Sequence, residues 1–172
     1  DGRGDAYTPE DLAGILNRLR AEGCHNWNLV SPTPWLPMIG AALRLACAAG
    51  QRLPIVYNTS GYERVETLRG LDGMADVYLT DLRYATEASA RRGSGAADYV
   101  NASRAALREM WRQKGPLELD ADGLARRGVI CRILILPGLA GEACQSLEWL
   151  AGAVGTRVAV SVMAQYTPAY RA

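Results

Sequence analysis

Lysine is almost absent from this chain: of nineteen basic residues only Lys114 is lysine, and the other eighteen are arginine. A Schiff-base lysine at a strand end is thereby excluded, because Lys114 falls at the end of a predicted helix. Histidine is equally scarce. His25 stands alone before a strand-like run, on the rim opposite the strand carboxyl ends, so it reads as structural rather than as a general base. The four cysteines, Cys24, Cys47, Cys131 and Cys144, form no C-x-x-C pair, which argues against a zinc knuckle or a disulfide framework and predicts free, mostly buried thiols. No G-x-G-x-x-G or P-loop follows a strand; "LPGLAG" at 136–141 is too loose for a dinucleotide fingerprint, although a phosphate could rest on backbone amides there.

Charge of one sign is lacking too. Nineteen basic against eighteen acidic residues leave a formal net charge of +1, and no basic run is interleaved with aromatics. Neither a nucleic acid nor an anionic membrane is suggested as partner. The apolar window "WLPMIGAALRLACAAG" is interrupted by Pro37 and Arg44 and is too short for a bilayer span or a signal peptide, so the expected location is the cytoplasm. At 172 residues the chain suits one domain that buries roughly 70% of the surface its unfolded form exposes.

What is present is an alternation of helical and strand-like segments. Thr8-Pro9-Glu10-Asp11 is a helix start, with a hydroxyl cap, proline in the first turn and acids after it; Leu12, Ile15, Leu16 and Leu19 mark its apolar face up to Gly23. Strands are expected at Trp27 to Val30, from Pro54 ("PIVYN"), at Asp76 to Leu82, at Val129 to Gly138 and at Arg157 to Met163. Helices are expected at Trp35 to Ala49, Glu63 to Leu71, Tyr99 to Lys114 and Glu142 to Ala153. "EASARRGSGAA" reads as a polar loop, and "LELDADGLARRG", with its Asp-Gly turn, as a small hairpin excursion. Strands alternating with helices imply parallel pairing, either as a (β/α) barrel or as an open doubly wound sheet. Both architectures place ligands at the carboxyl ends of the strands.

The residues at those ends are polar. After the first strand comes "SPTPW" (31–35), after the second "NTSGY" (58–62), after the third "TDLRY" (80–84), and after the last "AQY" (164–166). Each corner alone is compatible with ordinary turn and cap chemistry, but their recurrence around one rim points to a site. Pro32 and Pro34 reduce the freedom of the first corner. The chain opens on a helix with no strand before it and begins at Asp1, so it is expected to be an internal piece of a longer protein that lacks at least one βα unit at its start.

"CHNWNLVSPTPW", "LPIVYNTSGYE", "DVYLTDLRYA", "RILILPG" and "VMAQYTPAYRA", in this order, resemble radical S-adenosylmethionine proteins related to the pyruvate formate-lyase activating enzymes, over nearly the whole chain. The resemblance implies a partial (β/α) barrel of six parallel strands, of which this chain carries the second to the sixth. It implies that Ser31, Pro32 and Thr33 contact the amino group of S-adenosylmethionine, and that Asn58, Thr59 and Ser60 line its methionyl or ribose side. Asp81 and Arg83 match an Asp-x-Lys element in which arginine replaces lysine, a fork in place of a point donor. Arg132 matches a strand arginine directed at the cofactor carboxylate, although an arginine near a strand's beginning can also be a surface residue. Gln165 and Tyr166, at the end of Met163 to Tyr166, approach the adenine.

The C-x-x-x-C-x-x-C loop that holds a 4Fe-4S cluster in such enzymes is not in this sequence, and the four cysteines cannot replace it at their spacing. The chain by itself is therefore expected to be catalytically silent. In a full-length enzyme the implied activity is reductive cleavage of S-adenosylmethionine to a 5'-deoxyadenosyl radical, with an external electron donor and a protein substrate that carries the radical. The rival expectation is a cluster-free α/β barrel module that binds a nucleoside or an anionic small molecule. Nothing in the sequence names a substrate.

Overall fold

The computed structural model describes residues 5–50 and 52–164. The expected first helix is α1 (Pro9–Ala21), closed at its start by a reciprocal capping box: the Asp11 amide donates to Thr8 Oγ1 at 3.2 Å and the Thr8 amide to Asp11 Oδ2 at 2.9 Å. It is followed by β1 (Trp27–Val30), a 3-10 turn over Thr33–Trp35, α2 (Leu36–Ala48), β2 (Ile55–Thr59), α3 (Val65–Arg69) and β3 (Val77–Asp81). The second half comprises α4 (Glu87–Ser94), α5 (Tyr99–Lys114), β4 (Glu118–Leu119), β5 (Ala125–Leu134), α6 (Ala140–Val154) and β6 (Ala159–Met163).

Two segments differ from expectation. "EASARRGS" is a helix and not a loop, because Thr86 caps its first turn, with the Ser89 amide donating to Thr86 Oγ1 at 3.2 Å, and Gly95 ends it in the left-handed region at φ 69°. Strand β5 begins at Ala125, four residues ahead of the expected start, and stops at Leu134. Its early residues are held by antiparallel pairing with β4, so the expected hairpin excursion is real and extends the strand that follows it.

The fold is α/β with a mostly parallel six-stranded sheet. Strands β1, β2, β3, β5 and β6 are neighbours in chain order and all parallel, with only β4 antiparallel. Such an order never reverses, and right-handed crossovers then place successive helices on the same face. The side-chain pattern agrees. Trp27, Ile55, Tyr57, Tyr78, Val129, Cys131 and Ile133 share one face by register and pack against the helices: Trp27 and Ile55 against α1 and α2, Tyr57 and Tyr78 against α3 and α5, Cys131 and Ile133 against α5 and α6. Tyr78 hydroxyl donates across this layer to Gln113 Oε1 at 2.6 Å, and Trp27 Nε1 to the Leu16 carbonyl at 3.0 Å.

The alternate residues, including Val30, Asn58, Leu79, Asp81, Ile130, Arg132 and Leu134, point to the other face and belong to none of the helix-packed clusters. A doubly wound sheet would cover both faces with helices; here the helices collect on one. The helix-free face is where a polar group can meet a ligand, and its carboxyl end carries the charged residues.

Among the described residues no helix is long and apolar enough to cross a membrane. The cysteines are free, but only Cys131 is buried; Cys24 and Cys47 are half-buried and Cys144 is exposed, because it falls on the outer side of α6.

Candidate functional site

Asp81 ends β3 and Arg132 lies beside it in register on β5, so both side chains rise from the helix-free face. Arg132 Nε donates to Asp81 Oδ1 at 2.6 Å, and Arg132 Nη2 donates to Asn58 Oδ1 at 2.8 Å across the intervening strand. The other carboxylate oxygen of Asp81 accepts two bonds from Arg83, from Nε at 3.0 Å and Nη2 at 2.8 Å. Two guanidinium groups thus share one carboxylate, and one positive charge is left over. Asp81 is buried, its side chain 9% exposed, whereas that of Arg132 is 25% exposed and that of Arg83 is 42% exposed. A buried carboxylate with two cations is a stable arrangement, because each bond is charge-assisted and desolvation is offset by close pairing. Neither Nη1 group has a partner among the described residues, so each arginine keeps donors for a further acceptor.

Both arginines border a cavity of about 340 Å³ lined by Asp81, Arg83, Tyr84, Arg132, Leu134, Leu136 and Met163. One wall is charged and the other aliphatic, as suits a ligand with an anionic end and an apolar or flat body. Burial, with the Asp81 charge added, pushes the thiol of the neighbouring Cys131 up to about 12, so this sulfur is neutral at ordinary pH and inert as a nucleophile.

The first two corners are organised differently. Ser31 adopts φ 49°, left-handed for a non-glycine residue, and its amide donates to the Asn58 carbonyl at 2.8 Å. This turn sends the chain sharply off the strand; Pro32 is buried beneath it while the Ser31 side chain is exposed. Thr33 and Thr59 do not join the arginine cluster. Their hydroxyls both donate to Glu63 Oε1 at 2.7 Å, and the Tyr57 hydroxyl lies 2.6 Å from Thr33 Oγ1. Burial, opposed by the bond to Thr33 and reinforced by the Glu63 charge, raises the Tyr57 hydroxyl to about 12 and keeps it a neutral donor. Glu63 therefore binds the first corner to the second. Sequence reasoning missed this role; the available signal was an acid four residues beyond Thr59.

The second and third corners are stacked through Tyr99, the first residue of α5. Its hydroxyl accepts from the Arg83 amide at 3.2 Å and lies 2.8 Å from the Ser60 carbonyl and 3.2 Å from the Asp81 carbonyl. Burial raises this phenol well above its ordinary range, so it holds its proton and can donate to those carbonyls. Gly61 is required by the same contact: it has φ 81°, and a Cβ there would stand 2.4 Å from the Asp81 carbonyl oxygen. From the other side, Glu142 on α6 accepts from the amides of Ala85 and Thr86 at 2.9 and 3.3 Å, and from the hydroxyls of Thr86 and Ser89. Burial opposes its ionisation, but these bonds outweigh it and hold the carboxyl below its usual range.

Of the residues singled out from sequence, the structure brings Asn58, Asp81, Arg83 and Arg132 into one cluster, and places Thr33 and Thr59 in a second around Glu63. Ser31, Pro32 and Ser60 shape the corners. Gln165 and Tyr166 lie outside the described residues. No group of three histidine, cysteine or acidic side chains able to hold a metal occurs among the described residues, so these residues do not fit a cluster.

A parallel α/β sheet with a charged cluster at its strand carboxyl ends defines the class of protein to this level. No family model matches the chain. It is 27% identical over 168 residues to an uncharacterized protein of Methanocaldococcus jannaschii, an alignment that covers 96% of this chain and 44% of that protein. The chain therefore spans less than half the length of this relative.

Proposed function

We propose that this chain is the S-adenosylmethionine-binding part of a radical S-adenosylmethionine enzyme, with a partial (β/α) barrel formed by its five parallel strands. The observation that carries the reading is the convergence of Asn58, Asp81, Arg83 and Arg132 from three neighbouring strands onto the rim of a half-apolar cavity. In this reading Arg132, with its free Nη1 edge, takes the ligand carboxylate. Asp81 and Asn58 hold the guanidinium plane in place, and the surplus positive charge favours an anionic end group. Leu134, Leu136 and Met163 provide the apolar wall for the remainder of the molecule.

In the enzymes that the sequence resembles, the cofactor supplies a 5'-deoxyadenosyl radical when reduced by a 4Fe-4S cluster. The described residues hold no place for that cluster, and the chemistry derived for them ends at binding and orienting the cofactor. Radical generation, an electron donor and a protein substrate belong to the proposal for the whole protein.

Isothermal titration calorimetry with S-adenosylmethionine tests the reading. Binding is expected for the chain, with a loss of about tenfold or more on Arg132→Ala, the scale of a charge-assisted bond, and partial recovery on Arg132→Lys. Far-UV circular dichroism checks that each variant is folded. No binding to the folded chain, or an affinity indifferent to Arg132, overturns it. Adenosine binding as tightly as S-adenosylmethionine and independent of Arg132 would favour a cluster-free nucleoside-binding module instead.

A further inference from the structure

A second cavity of about 370 Å³ opens beside the first, bounded by the second corner, the third corner and the segment joining α4 to α5. Ser60, Tyr62, Arg83, Asp98 and Tyr99 line it together with residues 94–97. Its size is within the range of small-molecule sites, about 300–1,000 Å³. The two cavities share Arg83 and no other residue.

The charges on its walls are of opposite sign. Arg83 spends Nε and Nη2 on Asp81 and leaves Nη1 without a partner among the described residues. Asp98 accepts one bond, from the Tyr62 hydroxyl at its Oδ1, and leaves Oδ2 unengaged. The start of α5 would ordinarily attract an anion, but its amides are already taken: Val100 and Asn101 donate to the Glu87 carboxylate at 3.2 and 3.1 Å. A purely anionic ligand would therefore meet Arg83 but also Asp98, and a purely cationic one would meet Asp98 but also Arg83. Only a ligand with both charges satisfies both walls. On the same lining, the Tyr62 ring leans on Tyr99 at a centroid distance of 5.9 Å and is 46% exposed, giving an aromatic surface on which an ammonium group is favoured. The Ser60 hydroxyl has no partner among the described residues and adds one adaptable donor or acceptor.

We propose that this cavity is a separate binding site for a free α-amino acid, with the ligand carboxylate on Arg83 Nη1 and the ligand ammonium on Asp98 beside the Tyr62 ring. The inference stands on this cavity and goes beyond the cofactor reading, since Asp98 and Tyr62 do not border the Arg132 cavity.

The test is a calorimetric scan of the chain against the free L-amino acids, each repeated with its N-acetylated and its amidated form. At least one free amino acid is expected to bind at millimolar concentration or tighter, and blocking either end is expected to weaken it by about tenfold, the scale of one charge-assisted hydrogen bond. Asp98→Asn keeps the side-chain shape; it is expected to weaken the free amino acid and remove the discrimination against the N-acetylated form. S-adenosylmethionine affinity is expected to be the same in Asp98→Asn as in the unaltered chain, where Arg132→Ala changes it. Absence of binding by every free amino acid to the folded chain, or equal binding of blocked and free forms, overturns the proposal. An Asp98→Asn variant that loses S-adenosylmethionine in parallel with the amino acid also overturns it, because the cavity would then belong to the cofactor. Failure of the cofactor reading alone shows as an amino acid bound with no S-adenosylmethionine binding.

Discussion

Arg132 and Asp81 face each other across neighbouring parallel strands, their Cα atoms in register and their side chains joined at 2.6 Å. The pairing sets the strand ends level, because a slip of one residue would turn one partner to the helix layer. It also makes Asp81 the common anchor of both rim arginines.

Asp81→Ala leaves two guanidinium groups facing each other without their carboxylate. Loss of a fully buried partner costs about 3–5 kcal/mol, and the solvent access of both arginines reduces this to about 2 kcal/mol. Urea denaturation should show the Asp81→Ala loss to be larger than that of Arg132→Met, which leaves Asp81 paired with Arg83. Equal losses would mean that Arg83 contributes nothing to the pairing.

Gly61→Ala is expected to destabilise the chain by about 2–4 kcal/mol, combining the left-handed backbone penalty with a clash that must be relieved. The added methyl would meet the Asp81 carbonyl, which is backbone and cannot swing aside. Thermal unfolding measures the loss. The same substitution at Gly73, which has φ 86° but open space around its Cβ position, should cost only the backbone part.

Glu142→Gln replaces one acceptor oxygen with an amide donor in front of four donors. A loss of about 1–3 kcal/mol is expected from the unsatisfied groups, together with faster hydrogen exchange at the amides of Ala85 and Thr86. Unchanged exchange there would show that the third corner is held without α6.

Glu109 gives a pH signature. The Arg112 guanidinium donates to both of its oxygens at 2.8 and 2.9 Å; that bond, opposed by burial and aided by Gln113, lowers its carboxyl to about 2. A folded-state value below the unfolded one contributes stability above the ordinary carboxylate range and loses it as pH falls towards 2. At full weight the shift corresponds to about 3 kcal/mol, and the exposure of Arg112 reduces it to about 1–2 kcal/mol. Glu109→Gln should therefore flatten the decline of stability between about pH 4.5 and pH 2, as followed by denaturant titration at a series of pH values. An equally steep decline in the variant would place the acid sensitivity in other carboxylates.

The alternation of elements was legible because its signals are local. Thr8-Pro9 capped a helix, Trp27 to Val30 formed a strand, and the long helix from Tyr99 to Lys114 has the expected ends. Helix α4 was not legible because Gly93 and Gly95 look like loop residues, while Thr86 and the tertiary bonds of Glu87 and Glu142 favour the helix. Within the site, Asn58, Asp81 and Arg83 could be named from their strand-end positions, whereas Arg132, expected near the start of its strand, is singled out only through the family resemblance. The turning of Thr33 and Thr59 onto Glu63 and the keystone placement of Tyr99 join residues as many as 39 positions apart, and no local pattern records such pairings.

By itself, then, the sequence determined the order of strands and helices except for α4, the polar character of the strand ends and the absence of close cysteine ligands, because spacing, caps and residue chemistry are properties of short stretches. Tertiary structure alone decided that the strands follow one another without reversal and that the helices gather on one face. It also decided which polar side chains serve the open face and which are consumed in tying corners together. Those outcomes depend on which face each residue presents once its strand is paired, and on contacts between segments that only folding brings within hydrogen-bond distance.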